Sequence, residues 1–193
     1  MNGKLFLIVG PSGVGKGVLV NELKKKHPEF FFPVSATTRA IRKNEEEGRQ
    51  YYFLSEEQFK KMEAEGKFLE TATVHETQKY GTLKEPILEA IKDRKVVIRE
   101  VDIQGLESIL EKMEKEMFEI IFISPPNFQV LEKRIHKRQP NISSEELAQR
   151  LKSAEREIAK KSLADFEVIS EEGGIPEMVS VVESFILQKV RIT

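Results

Sequence analysis

The 193-residue chain contains no cysteine and no tryptophan. Without cysteine there is no disulfide framework, no thiolate zinc site and no thiol nucleophile. Long apolar runs are missing as well, and a stretch such as Leu5–Val9 falls far short of the ~18 residues that read as a membrane span. Neither sign of charge is in excess. Lys and Arg number 31 against 32 Asp and Glu, for a formal net charge of −1, whereas a general nucleic-acid binder carries a basic surplus. An anionic ligand is therefore expected to be held by locally gathered arginine and lysine. The opening Met1–Phe6 lacks the charged and apolar segments of a secretory signal. The expectation is a cytoplasmic protein with no nucleic acid, no membrane and no obligate protein partner. What the chain does have is 39% hydrophobic and 33% charged residues, a globular balance. Its length suffices to bury roughly 70% of the unfolded surface in one domain without staples.

Apolar runs at Lys4–Val9, Lys95–Ile103 and Phe118–Ile123 read as buried strands separated by charged helical stretches, and Phe166–Ile169 is a further candidate strand. That alternation predicts an α/β fold with a parallel sheet covered on both faces. Two regions break it. Residues 34–83 are rich in Thr, Tyr, Phe and Glu, with short alternating segments at Gln50–Leu54 and Phe68–Val74. They predict a small insertion of antiparallel or mixed β-structure. Residues 125–165 open on Pro125-Pro126-Asn127 and read as two helices broken at Gln139-Pro140-Asn141-Ile142. The spacing of Ser143 and Glu146 predicts a capping box at the start of the second helix. The core is then 1–33, 84–124 and 166–193, and both insertions are candidate moving parts. His27, His75 and His136 are scattered without zinc spacing and are expected to be structural or solvent-facing.

Gly10-Pro11-Ser12-Gly13-Val14-Gly15-Lys16 stands between the first strand and the first helix and fits Gly-x4-Gly-Lys, the phosphate-binding loop. Its glycines allow a tight wrap in which backbone N–H groups point at phosphate oxygens, and the following helix N-terminus adds partial positive charge. The motif expects a hydroxyl after the lysine as a Mg²⁺ ligand, but Gly17 and Val18 stand there. A water can take that position, because Mg²⁺ usually keeps several. Glu100 and Asp102, two apart at the carboxyl end of the Lys95–Ile103 run, are expected to share one face of the ligand crevice. Buried there, they need a cation or hydrogen-bond donors to offset desolvation.

Further short motifs follow: Ser35-Ala36-Thr37-Thr38-Arg39, Arg42, Tyr51-Tyr52-Phe53, Phe68-Leu69-Glu70 and Tyr80-Gly81-Thr82. Together with the phosphate loop and Glu100-Val101-Asp102-Ile103-Gln104-Gly105, their order and spacing resemble the guanylate kinases across nearly the whole chain. The resemblance implies a P-loop NTPase fold in which 34–83 is a GMP-binding insertion and 125–165 a helical lid. It implies transfer of the ATP γ-phosphoryl group to GMP with Mg²⁺, the nucleotides being the partners. By the same resemblance ATP is held by Gly10, Pro11, Ser12, Gly13, Val14, Gly15, Lys16 and Gly17. Arg39, Arg42 and Tyr51 are then the holders of the GMP phosphate, which suits guanidinium forks, with Tyr80 close by. Ser35, Glu70 and Thr82 are the guanine readers, with Glu100 near the base. A carboxylate at Glu70 can accept from N1–H and the exocyclic amine of guanine, a donor pair that adenine lacks. Lys16, Arg39, Arg134, Arg138 and Arg150 are the catalytic cations, the last three converging from the lid on the transferred group. Asp102 orients the metal through water.

The chain departs from the family in places. The family often has His where Ala36 stands, and Pro and Gly where Ile41 and Asn44 stand; Glu45-Glu46-Glu47 load the same loop. Near the C-terminus Ser170-Glu171-Glu172 replace an Asn-Asp pair that helps hold adenine. Two alternatives stay open on the sequence. One is a guanylate-kinase-like module that binds phosphopeptides with little catalysis. The other is a related kinase for another phosphorylated small molecule.

Overall fold

A computed structural model describes residues 3–74 and 77–191. Elements are numbered in chain order. The main sheet has four parallel strands in the order β6 (Val96–Glu100), β1 (Lys4–Val9), β7 (Phe118–Ser124) and β8 (Phe166–Ile169). Alternation along β1 sends Phe6 and Ile8 to one face and Leu5, Leu7 and Val9 to the other. Both sets are fully buried, which is why the strand reads as an unbroken apolar run. The first face is covered by α1 (Lys16–Lys26) through Leu19 and Leu23, and by α7 (Ile175–Arg191) through Val182 and Ile186. Ile87 of α3 (Lys84–Lys92) and Leu106 and Ile109 of α4 (Ile103–Lys112) cover the second.

The 34–83 segment forms a second four-stranded sheet in the order β3 (Tyr51–Phe53), β2 (Ser35–Thr37), β5 (Gln78–Leu83) and β4 (Phe68–Val74). It is mixed, with β2 parallel to β3 and antiparallel to β5. Its small core is Ala36, Phe59 and Phe68. Phe59 comes from α2 (Glu56–Ala64), whose capping box at Ser55 and Gln58 closes its N-terminus. The 125–165 segment is α5 (Phe128–Arg138) and α6 (Ser144–Ile158). Leu131 and Ile135 of α5 belong to the apolar core on the α1 face, so this helix is anchored beside the phosphate loop.

Two local expectations are corrected. The Lys95–Ile103 run ends as strand β6 at Glu100: the Val101 N–H still donates to the Ile8 carbonyl at 3.1 Å, but Asp102 turns to cap α4, its Oδ1 accepting from the Gly105 N–H at 2.7 Å. At α6 only half of the capping box forms. The Ser143 hydroxyl accepts from the Glu146 N–H at 3.1 Å, but the Glu146 carboxylate turns to Arg150 instead of the cap.

Among the histidines, His136 is exposed, and His75 lies outside the described residues. His27 closes α1 against α7. Its Nδ1 meets Glu29 at 2.7 Å, its Nε2 meets Glu183 at 2.7 Å, and its ring stacks on Phe30. Burial opposes protonation of the ring, but the hydrogen bonds to Glu29 and Glu183 outweigh it and raise its pKa above 6.5. Its contribution to stability is therefore complete below about pH 6.5 and is lost as pH rises through the raised folded value. Urea midpoints measured from pH 5.5 to 9 are expected to decline across that interval, and His27→Gln to flatten the decline. An unchanged slope in that variant would assign the pH dependence elsewhere.

Candidate active site

The loop after β1 lies at the carboxyl ends of the parallel strands, where α/β sheets bind ligands. Gly10 has φ +145°, and a Cβ there would lie 2.3 Å from the Ile123 carbonyl oxygen, so no larger residue fits between β1 and β7. Gly15, at φ +99°, is the N-cap of α1 and supplies no side-chain cap. The first N–H groups of α1 thus face the loop without a side-chain acceptor, which is the arrangement that receives an anion. Lys16 arches back over the loop, its Nζ donating to the Gly10 carbonyl at 2.5 Å and the Pro11 carbonyl at 3.3 Å.

Two cavities meet at this lysine. The first, about 470 Å³, is lined by Ser12, Gly13, Gly15 and Gly17 of the loop and by Arg134 and Arg138 of α5. The second, about 400 Å³, is lined from the small sheet by Ser35, Tyr51, Glu70 and Tyr80, from the main sheet by Arg99, and by Asp102 at the N-cap of α4. Lys16 and Glu100 line both. Each is of a size that suits a small ligand, and together they make one track across the strand ends.

In the second cavity Glu70 is buried, 8% exposed. Its Oε1 accepts from the Thr82 hydroxyl in a short hydrogen bond and from Arg99 Nη2 at 3.3 Å. The Tyr51 and Tyr80 rings pack edge to face, 5.7 Å apart. Arg39 stands one layer behind, with its guanidinium 5.4 Å from the Tyr51 ring centre. Glu45 grips it with both carboxylate oxygens, at 3.0 and 2.8 Å, and also accepts from the Arg42 N–H at 2.9 Å. Hydrogen bonding to Arg39 holds the Glu45 carboxyl below its usual range, and Glu45 in turn keeps Arg39 firmly protonated. The Arg42 side chain is exposed and lines neither cavity.

On the loop side, Arg134 donates to the Ser170 hydroxyl at 3.0 Å and the Ser170 carbonyl at 2.8 Å. Ser170 is buried just beyond β8, and its hydroxyl lies 3.9 Å from the Cβ position of Gly15. Arg138 is exposed at the cavity edge. Arg150 is not brought to either cavity. Glu146 binds it at 3.2 and 2.9 Å and Gln139 at 3.1 Å, so two of the three lid arginines converge and the third is held within the lid. Glu100 and Asp102 both line the second cavity, but they are not strand neighbours on one face. Glu100 lies beside α1, its Oε2 3.5 Å from the Cβ position of Gly17, while Asp102 belongs to the turn into α4.

Those positions bear on a divalent cation. Among the described residues no group of three or more acidic or histidine side chains could cage a metal. Glu100 offers a carboxylate beside the side-chain-less Gly17, within the cavity that the loop frames. One or two carboxylates plus phosphate oxygens and waters suit Mg²⁺, which dehydrates reluctantly. The residues fit that ion.

Three functional contacts had weak sequence signals. Glu45 stood in the glutamate run Glu45-Glu46-Glu47, read only as a departure of that loop. Ser170 stood in the Ser170-Glu171-Glu172 stretch, read only as a departure near the C-terminus. Arg99 had the clearest signal, a charge within the apolar run Val96-Val97-Ile98.

Comparison with known proteins identifies the family. The family model described as guanylate kinase matches residues 2–189. The guanylate kinase of Clostridium perfringens is 40% identical over 191 residues, covering 98% of this chain and 86% of that protein. The guanylate kinase of Bifidobacterium longum is 40% identical over 171 residues, covering 88% and 87%. The crystal structure of guanylate kinase from Anaplasma phagocytophilum superposes with a TM-score of 0.72 at 27% identity, covering 97% of this chain and 86% of that one. With a family match over residues 2–189 and relatives 40% identical over most of its length, this chain belongs to the guanylate kinase family.

Proposed function

We propose that this protein transfers the γ-phosphoryl group of ATP to GMP, giving ADP and GDP. The observation that carries this reading is the continuous track in which Lys16 and Glu100 line both the loop cavity and the cavity of the small sheet. ATP occupies the first with its phosphates on the loop from Gly10 to Gly17. GMP occupies the second with its base at Ser35, Glu70 and Thr82. Its phosphate is directed by Tyr51, Tyr80 and Arg39 toward Lys16, and Arg42 reaches it from the exposed loop.

An anionic oxygen of the GMP phosphate attacks the γ-phosphorus, and the bond to the β–γ bridging oxygen breaks, leaving ADP. No residue need take a proton, because the attacking oxygen is already ionised. Lys16, Arg134 and Arg138 neutralise charge that spreads over the equatorial oxygens. Arg39 acts from behind Tyr51, oriented by Glu45. Arg150 joins only if the lid moves enough to exchange Glu146 and Gln139 for phosphate. The segments 34–83 and 125–165 are the parts that close, excluding water from the transfer. Glu100 and, through water, Asp102 would hold Mg²⁺, which when bound would supply charge neutralisation to the nucleotide phosphates.

ADP release with GMP, dGMP, AMP, CMP and UMP offered separately tests the reading. Turnover is expected with the guanine nucleotides alone. Equal turnover with AMP would discard the assignment of the base site. Silence with all five, in protein that still binds GMP, would favour a binding module. No helix among the described residues is long and apolar enough to cross a membrane, and we place the protein in the cytoplasm.

A further inference from the structure

Arg99 is the anomaly of the main sheet. It pairs with Leu7 in the β6–β1 ladder, and its neighbours on the same side, Val97 and Val101, are 0% and 5% exposed in the apolar core. A third apolar residue would continue that row at no electrostatic cost. A guanidinium there instead incurs desolvation, and Arg99 Nε is buried without any hydrogen-bond partner. Such a cost calls for a return elsewhere in the molecule. The only ion pair that Arg99 makes among the described residues is with Glu70, 29 positions away on β4.

The hydrogen-bond accounting shows what this contact does. A carboxylate oxygen offers about two lone-pair sites. Glu70 Oε1 already accepts from the Thr82 hydroxyl and from Arg99, so its capacity is used. Oε2 accepts from no described residue. The stem of Glu70 lies beside Gly105 at the start of α4, where an added Cβ would come within 3.4 Å of its Cγ. Charge balance points the same way. Glu70, Glu100 and Asp102 bring three carboxylates to this cavity, and Lys16 and Arg99 are the cations that line it. Lys16 is directed to the loop carbonyls, which leaves Arg99 as the cation beside Glu70.

We propose that Arg99 is a specificity-determining positioning residue: with Thr82 it occupies Oε1 of Glu70 and thereby presents Oε2, in one orientation, to the donor groups of the acceptor base. This rests on the reading of Glu70 as the guanine reader. Arg99 need not touch the substrate. It decides which oxygen faces the base and keeps the carboxylate from turning toward water or toward Lys16.

The test compares wild type, Arg99→Met, Arg99→Lys, Glu70→Gln and the Glu70→Gln/Arg99→Met double variant. For Arg99→Met, KM for GMP is expected to rise about tenfold or more, the size of a lost charge-assisted hydrogen bond. Its kcat at saturating GMP and its KM for ATP should stay within about twofold, and its preference for GMP over AMP should narrow. Arg99→Lys, which keeps a donor and the charge, should recover part of both. In the Glu70→Gln background, Arg99→Met should change KM for GMP by less than about twofold, because coupled residues are not additive. Unaltered KM and base preference in folded Arg99→Met, while Glu70→Gln does alter them, would overturn the proposal and leave the base reading standing. An undiminished effect of Arg99→Met in the Glu70→Gln background would also overturn it. Loss of no base preference in Glu70→Gln itself would remove the reading and the proposal together. If Arg99→Met does not fold, Arg99→Leu, which also lacks a donor, carries the same comparison.

Discussion

Lys16→Ala is expected to lower kcat by about 10²–10³-fold, the scale on which one preorganised charge at the transferring group is lost. KM for GMP should change little. The asymmetry follows from where the ammonium sits. Its Nζ is fixed at the mouth of the loop by the Gly10 and Pro11 carbonyls, at the junction of the two cavities and not beside the base. It meets charge that grows as the phosphoryl group moves between nucleotides, so its removal is felt in the transition state more than in binding. The backbone N–H groups of the loop do not depend on the side chain and retain the phosphates. Steady-state kinetics with GMP and ATP varied separately would check this. Unchanged kcat would remove Lys16 from the transfer step, whereas a matched rise in KM for ATP alone would make it a ground-state binder.

Glu70→Gln is expected to reduce kcat/KM for GMP by about 100-fold, as charged and buried hydrogen bonds are lost together. The reason is donor–acceptor arithmetic. An amide has one acceptor oxygen, and Thr82 and Arg99 both donate to one side of this group. If the amide oxygen stays with them, its NH₂ faces the donors of guanine. If the amide turns, NH₂ faces Arg99 and Thr82 in a site only 8% exposed. Either orientation opposes two donors. AMP, which presents an acceptor at N1, should lose much less, so the GMP-to-AMP ratio is the sharper readout. An unaltered ratio would sink the role of Glu70 as base reader.

The phosphate loop was legible because it is local. Glycines at Gly10 and Gly15, a lysine at the helix start and an apolar strand before them specify a backbone path that little else in the chain can change. The β1 and β7 strands were legible for a similar reason, since burial on both faces leaves near-continuous apolar runs. β6 is shorter than its apolar run because Val101 and Ile103 continue the apolar look past Glu100, while the backbone leaves the ladder after Val101 for the Asp102 cap.

By itself, then, the sequence determined the α/β class, the phosphate loop, the succession of motifs and the presence of two insertions. Each of these is written in neighbouring residues or in their order. Only the tertiary structure decided which charges meet. Glu45 with Arg39, Ser170 with Arg134, Gln139 and Glu146 with Arg150, and Arg99 with Glu70 depend on strand register, on where a strand ends and on how α5 and α6 lie against the sheet. A charged side chain in a sequence specifies only that it needs a partner or water. The packing of the elements that carry it chooses the partner, because the cost of desolvating a charge is met only where a complementary group is brought within hydrogen-bond reach.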